Sequence, residues 1–146
     1  MPHHTEFSAA SRNRIRAAGE RAAAGPVASV GDDEGWGPGV VLAHLAFWDR
    51  MVLARWQRAD AQGEEFPPSL APIVADLVNE AAFAQWSTLS VRDATNLAMS
   101  AAEAIDAYLD NVPAARIEAA RAAGFERLVD RTIHRNDHLD AVERAG

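Results

Sequence analysis

The stretch from Val40 to Gln57 contains neither glycine nor proline, and it narrows the possible folds more than any other part of the chain. At 100° per residue, Val41, Leu45, Trp48, Val52 and Trp56 form one stripe, which Leu42 and Leu53 widen. A helix apolar over so much of its circumference must be surrounded by other elements. Pro38 falls in its first turn, where a missing N–H costs nothing, and Trp36 just outside can pack back on that turn. His44 lies on the flank of the stripe beside Trp48 and Met51, so it points inward.

The remaining segments also read as helices. Ser8 to Ala24 has Ile15, Ala18 and Ala22 at helical spacing, opened by Ser8 or Ser11 and closed by Gly25-Pro26. Gly25 to Gly35, with Asp32-Asp33-Glu34, reads as an exposed connection. Asp60 to Leu70 holds Gly63, Pro67 and Pro68 and is longer than the usual loop between antiparallel helices. At about 3.3 Å per residue it can span a bundle about 30 Å long, making helices two and three parallel. Helix three is expected from Ala71 to Thr88 with Ser69 as its cap. Helix four is expected from Val91 to Asp110, opened by Ser90-x-x-Asp93 and stopped by Asn111 and Pro113. Ala114 to Ala123 and Phe125 to Arg144 form a last helical region interrupted near Gly124. No segment alternates with period two, so the class is all-α, and the size suits one domain over residues 1–146 with a disordered start at 1–6.

Composition removes several chemistries. There is no cysteine, hence no disulfide, no thiolate nucleophile and no Cys-type zinc site, and His, Asp and Glu remain as candidate ligands. All 14 basic residues are arginine, scattered along a chain of net charge −7, which argues against nucleic-acid binding and excludes a lysine Schiff base. No leader pattern and no apolar run of membrane-spanning length is present, so a cytoplasmic location without membrane contact is expected. His3 and His4 read as part of the terminus. Helix one is poor in large apolar residues while helix three spreads Val74, Val78, Phe83 and Trp86 around its circumference, from which a homodimer is expected.

The chemistry-bearing pattern is His134-x-x-x-His138 near the C-terminus. Side chains four apart lean over the same patch of a helix, about one turn apart, so two imidazoles there can share an ion. His44 is the candidate third ligand, and three protein ligands with one open position would make a catalytic rather than a structural site. The wheel of the last helix sets its apolar face on Phe125, Leu128, Val129, Thr132 and Leu139, with His138 about 110° and His134 about 150° from its centre. These histidines are either solvated or line a polar cleft that Arg131 and Arg135 also border. Asp137 could orient an imidazole or be an exposed acid beside two arginines. Arg50 and Arg55 could clamp an anion or lie along the surface, Asn79 and Glu80 could line a pocket or a flank, and the four tryptophans read as core packing. No phosphate loop, nucleophile elbow or Glu-containing zinc-protease motif occurs. A metal-free or metal-binding helical stress or resistance protein that binds a small ligand without turnover is the competing reading.

The run Gly35-Trp36-Gly37-Pro38-Gly39-Val40-Val41-Leu42-Ala43-His44-Leu45-Ala46-Phe47-Trp48-Asp49-Arg50, together with the His134/His138 pair, resembles the DinB/YfiT-like superfamily. The likeness is to the branch that includes mycothiol-dependent maleylpyruvate isomerase N-terminal domains. It covers the chain in helix order, and its specific motifs lie on helix two and the last helix. The resemblance implies an up-down-down-up four-helix bundle and a divalent metal, commonly zinc or nickel, on His44, His134 and His138. It also implies a thiol-dependent transferase or isomerase, or a hydrolase, acting on a small-molecule electrophile, with mycothiol, bacillithiol or glutathione as thiol. The chain ends before the C-terminal domain of the longer isomerases, and its length equally suits small resistance proteins that open an electrophilic toxin.

Overall fold

The computed structural model describes residues 5–24 and 36–145. The terminus with His3 and His4 and the connection expected from Gly25 to Gly35 lie mostly or wholly outside the described residues, while Thr5 and Glu6 already belong to the first helix. The described chain is all helical: α1 (Thr5–Ala24), α2 (Pro38–Ala61), α3 (Pro72–Trp86), α4 (Val91–Asp110), α5 (Ala114–Ala122), α6 (Glu126–Val129) and α7 (Thr132–Ala145). None of these helices is long and apolar enough to cross a membrane.

Four of the helices make the core, and side-chain pairs give their directions. Arg12 meets Asp106 and Gly19 lies against Thr95, so α1 and α4 are antiparallel. Gly39 lies near Val91 and Arg50 bonds Ser100, so α2 and α4 run parallel. His44 meets His134 while Asp49 meets Arg131, which sets α7 antiparallel to α2. The order α1, α2, α4, α7 is therefore up-down-down-up, as the resemblance implies. The crossover differs from the sequence expectation. Helix α3 returns antiparallel to α2, with Trp48 bonded to Asn79 and Arg55 to Pro68, so a helix rather than an extended loop covers most of the distance.

Local chemistry explains most boundaries. Ser90 Oγ accepts the Asp93 N–H at 3.0 Å, capping α4 as its sequence suggests. Helix α3 starts at Pro72 after an extended Ala71, and Ser69 is not its cap. A proline at the first helical position is preorganised for that conformation, so no side-chain cap is needed to set the start. Gly124, at φ 89°, ends α5, because a left-handed residue there carries no side-chain clash. A second break, at Asp130, is absent from the sequence expectation. Its extended backbone stops α6, and its carboxylate takes the Thr132 N–H to start α7. The helix expected from Phe125 to Arg144 is thus two helices, α6 and α7, separated at Asp130 and Arg131.

The alanines Ala94, Ala98, Ala101 and Ala102 are buried along α4, which lets its backbone approach its neighbours closely. The core has two clusters, one around Val41, Leu42, Leu45, Ala98 and Leu139, the other around Trp56, Ile105, Leu109 and Val129. On α3 only Trp86 is buried, Val74 and Val78 are half-buried, and Ile73, Leu77 and Phe83 are exposed. The apolar surplus behind the expected homodimer is carried by these last three residues.

Candidate metal centre

His44 sits on the part of α2 nearest Trp36 and Trp86, with ring centroids 5.1 and 5.5 Å from theirs. It is buried, and the two aromatic contacts fix the orientation of its ring. His134 and His138, one turn apart on α7, face it. Ring centroids are 5.0 Å apart for His44 and His134, 4.6 Å for His44 and His138, and 4.8 Å for the α7 pair. Each imidazole offers one nitrogen, and the three nitrogens lie within 4.8 Å of one another. The His44 and His134 Nε2 atoms are 3.1 Å apart, close to the edge of about 3.3 Å that a tetrahedral ion with 2.0–2.1 Å bonds requires. This cluster could hold a metal ion.

Protonation favours ligation. Burial, then the neighbouring His138, pushes the His44 pKa down to about 3, although Asn79 nearby works in the opposite sense. His134 is pushed well below its ordinary value by burial and then by Arg131. Both rings are therefore neutral near pH 7, the form that donates a lone pair to a metal. Arg131 Nη2 lies 3.1 Å from His134 Nδ1, and a guanidinium can only donate, so Nδ1 accepts. A neutral His134 then carries its proton on Nε2, facing the acceptor Nε2 of His44. The remaining His44 N–H, on Nδ1, is buried without a geometric hydrogen-bond partner among the described residues. One proton thus sits between the two Nε2 atoms where an ion would sit, and the donor set fits a borderline-soft divalent cation.

A network of buried charge holds this arrangement. Asp49 accepts from Arg131 Nε and Arg135 Nε, both at 2.9 Å, and Asp106 accepts from Arg135 Nη1 and Nη2 at 2.9 and 2.8 Å. Arg12 reaches Asp106 from α1 at 2.6 Å. Arg131 is thereby fixed by Asp49 and by the Arg127 carbonyl, and it presents its last amino group to His134.

The three histidines line an open cavity of about 770 Å³ between α2, α3 and the α5 to α7 region. Trp36 and Trp48, half-buried, form part of its wall, as do Asn79 and Arg55. Glu80 is exposed and outside it. Of Arg131, Arg135 and Asp137, the charged residues expected around the histidines, Arg131 lines the cavity and Arg135 and Asp137 do not. Arg135 is 0% exposed, and its guanidinium is enclosed by Asp49 and Asp106. The reason is the core face of α7, which runs Thr132, Arg135, Leu139 and Val142, so the arginine stands at a core position that its charge alone would assign to solvent. The Asp137 carboxylate is exposed and pairs with Arg127 at 3.4 Å, which places it on the outer face. Asp49 and Asp106 escape sequence reasoning, although each interrupts an apolar stripe at a core register, and such acids usually imply buried arginine partners.

Comparisons with protein-family models, with curated proteins and with solved structures found no match to this chain.

Proposed function

We propose that the protein is a divalent-metal enzyme of the DinB-like kind, in which His44, His134 and His138 hold one ion, zinc or nickel, for a reaction on a small electrophile. The observation that carries this reading is the convergence of three imidazoles, two of them held neutral by burial, on the wall of an open cavity. Three protein ligands leave a coordination position free. When bound, such an ion supplies Lewis acidity and activates a low-molecular-weight thiol or water near neutral pH. The rest is done by the chain. Trp36 and Trp86 hold the His44 ring, and Arg131, anchored on Asp49, holds His134. Trp48, Val52 and Phe125 in the cavity lining offer the electrophile an apolar surface. The chain has no cysteine, so a thiol nucleophile has to come from a cosubstrate such as mycothiol, bacillithiol or glutathione.

Elemental analysis of protein freed of tags tests the first half. The parent is expected to carry about one zinc or nickel per chain and the His44→Ala, His134→Ala, His138→Ala triple variant none. Equal metal in both would remove the site. A panel of electrophiles with each thiol, or with no thiol, tests the second half on metal-loaded protein. Turnover that requires a thiol and disappears in His44→Ala identifies a transferase or isomerase, and turnover without thiol a hydrolase. Equal rates in parent and His44→Ala would end the enzymatic reading and leave a small-ligand binding protein.

A further inference from the structure

The cavity that contains the histidines has a charge opposite to that of the molecule. The chain carries −7, yet the charged groups lining the cavity besides the histidines are Arg55, Arg127 and Arg131 against the single carboxylate Glu126. Glu126 is held by Arg121, Arg127 is paired with Asp137, and Arg131 is tied to Asp49. Arg55 differs from them. Its Nη2 donates to the Pro68 carbonyl at 2.7 Å, and among the described residues no carboxylate lies against it. Its charge is also opposed by its surroundings, since burial and then the Arg131 cation hold its pKa below the ordinary arginine value. A guanidinium offers five N–H donors in a planar fork, and here an anion could use those that Pro68 does not.

Its position adds a length. His44, Trp48, Val52 and Arg55 all line the cavity. They are spaced four, four and three residues apart, which is one face of α2, and the backbone of Arg55 stands about 16 Å along the axis from that of His44, three turns away. On α2 the two cavity-lining residues between them are the apolar Trp48 and Val52, and the cavity lining also includes the apolar Leu70, Pro72 and Phe125 beside Arg131, which bonds His134. We propose that Arg55 is an anion-binding residue of this cavity and that its ligand is an elongated organic acid. The carboxylate lies on Arg55, the apolar body against Trp48 and Val52, and the other end toward the histidines. This assignment deepens the metal-enzyme reading by naming the substrate class, and rests on it for the chemistry at the histidine end, but the recognition step does not require the ion.

The test uses benzoate and its neutral isostere benzamide, titrated into the full chain after removal of metal by chelator and followed by calorimetry and by the fluorescence of the cavity tryptophans. The two probes have nearly the same shape and differ in charge, so the difference between their affinities reports the cationic contact, and Arg55→Gln assigns it. A charge-assisted pair should give benzoate at least about a tenfold advantage over benzamide. Arg55→Gln should abolish the advantage while leaving benzamide binding unchanged, which also certifies that the variant is folded. Arg50→Gln, an exposed arginine bonded to Ser100 away from the cavity, should leave it intact. Equal affinity for the two probes, no saturable binding of either, or an advantage that survives Arg55→Gln overturns the proposal. A benzoate advantage that persists in His44→Ala, with no metal found in the parent, would refute the metal reading and leave the anion site standing.

Discussion

His44 is the residue on which most of the chemistry converges, and its burial has a consequence for stability. In the unfolded chain it titrates near the ordinary value of 6.5, and in the folded, metal-free protein near 3. A group whose folded pKa is depressed contributes stability that is complete above its unfolded pKa and is lost as pH falls toward its folded pKa. Metal-free protein should therefore weaken between pH 6.5 and 3, with a slope approaching about 1.4 kcal/mol per pH unit from this residue alone. Urea titrations across that window should show a steeper decline for the parent than for His44→Gln, in which the carboxylates still titrate but this imidazole does not. Parallel curves would mean that His44 is not held neutral. His44 could be placed inward from sequence because the stripe of α2 is long and regular. Arg135 could not, although its wheel position falls between Thr132 and Leu139, because a charged side chain reads as solvated until its partners are known, and only Asp49 and Asp106 on two other helices make its burial tolerable.

Among the elements, α2 and α4 follow local rules closely. Their apolar spacing, the proline at the start of one and the Ser90 cap of the other are local, and the helices lie close to where those rules place them. The direction of α3 and the break at Asp130 are not local. Each depends on which neighbours lie across the bundle: Asn79 reaching Trp48 in the first case, and in the second α7 turning so that His134 faces His44. The packing of α1 on α4 also has a sharp local requirement. A Cβ at Gly19 would lie 2.2 Å from Thr95 Oγ1 and 2.9 Å from Thr95 Cβ, too close for a rotamer change alone to relieve. Gly19→Ala should thus cost about 1–3 kcal/mol through overpacking, despite the higher helix propensity of alanine. At Gly37 a Cβ would meet nothing within 4 Å, and Gly37→Ala should cost less than about 1 kcal/mol. Denaturant midpoints of the two variants check this, and equal shifts would show that α1 and α4 do not approach so closely.

For the whole molecule, the histidines join elements that are far apart in sequence. His44 belongs to α2 and the pair to α7, and between them the metal-free protein has the Nε2 contact, the ring contacts and the salt bridges of Asp49. Unfolding separates the three ligands, so an ion held by all three binds the native state and the unfolded chain has no comparable site. Such an ion stabilises by an amount set by its free concentration relative to Kd, about 2.7 kcal/mol at a hundredfold excess. Thermal melts should shift upward on adding zinc or nickel to chelator-treated protein, the shift growing with the logarithm of metal concentration once the site is saturated. His134→Ala and His138→Ala should each reduce it, and the triple variant should abolish it. Arg55→Gln should leave it unchanged, because Arg55 stands at the other end of the cavity face of α2. A shift of equal size in the parent and the triple variant would place the bound metal elsewhere on the protein.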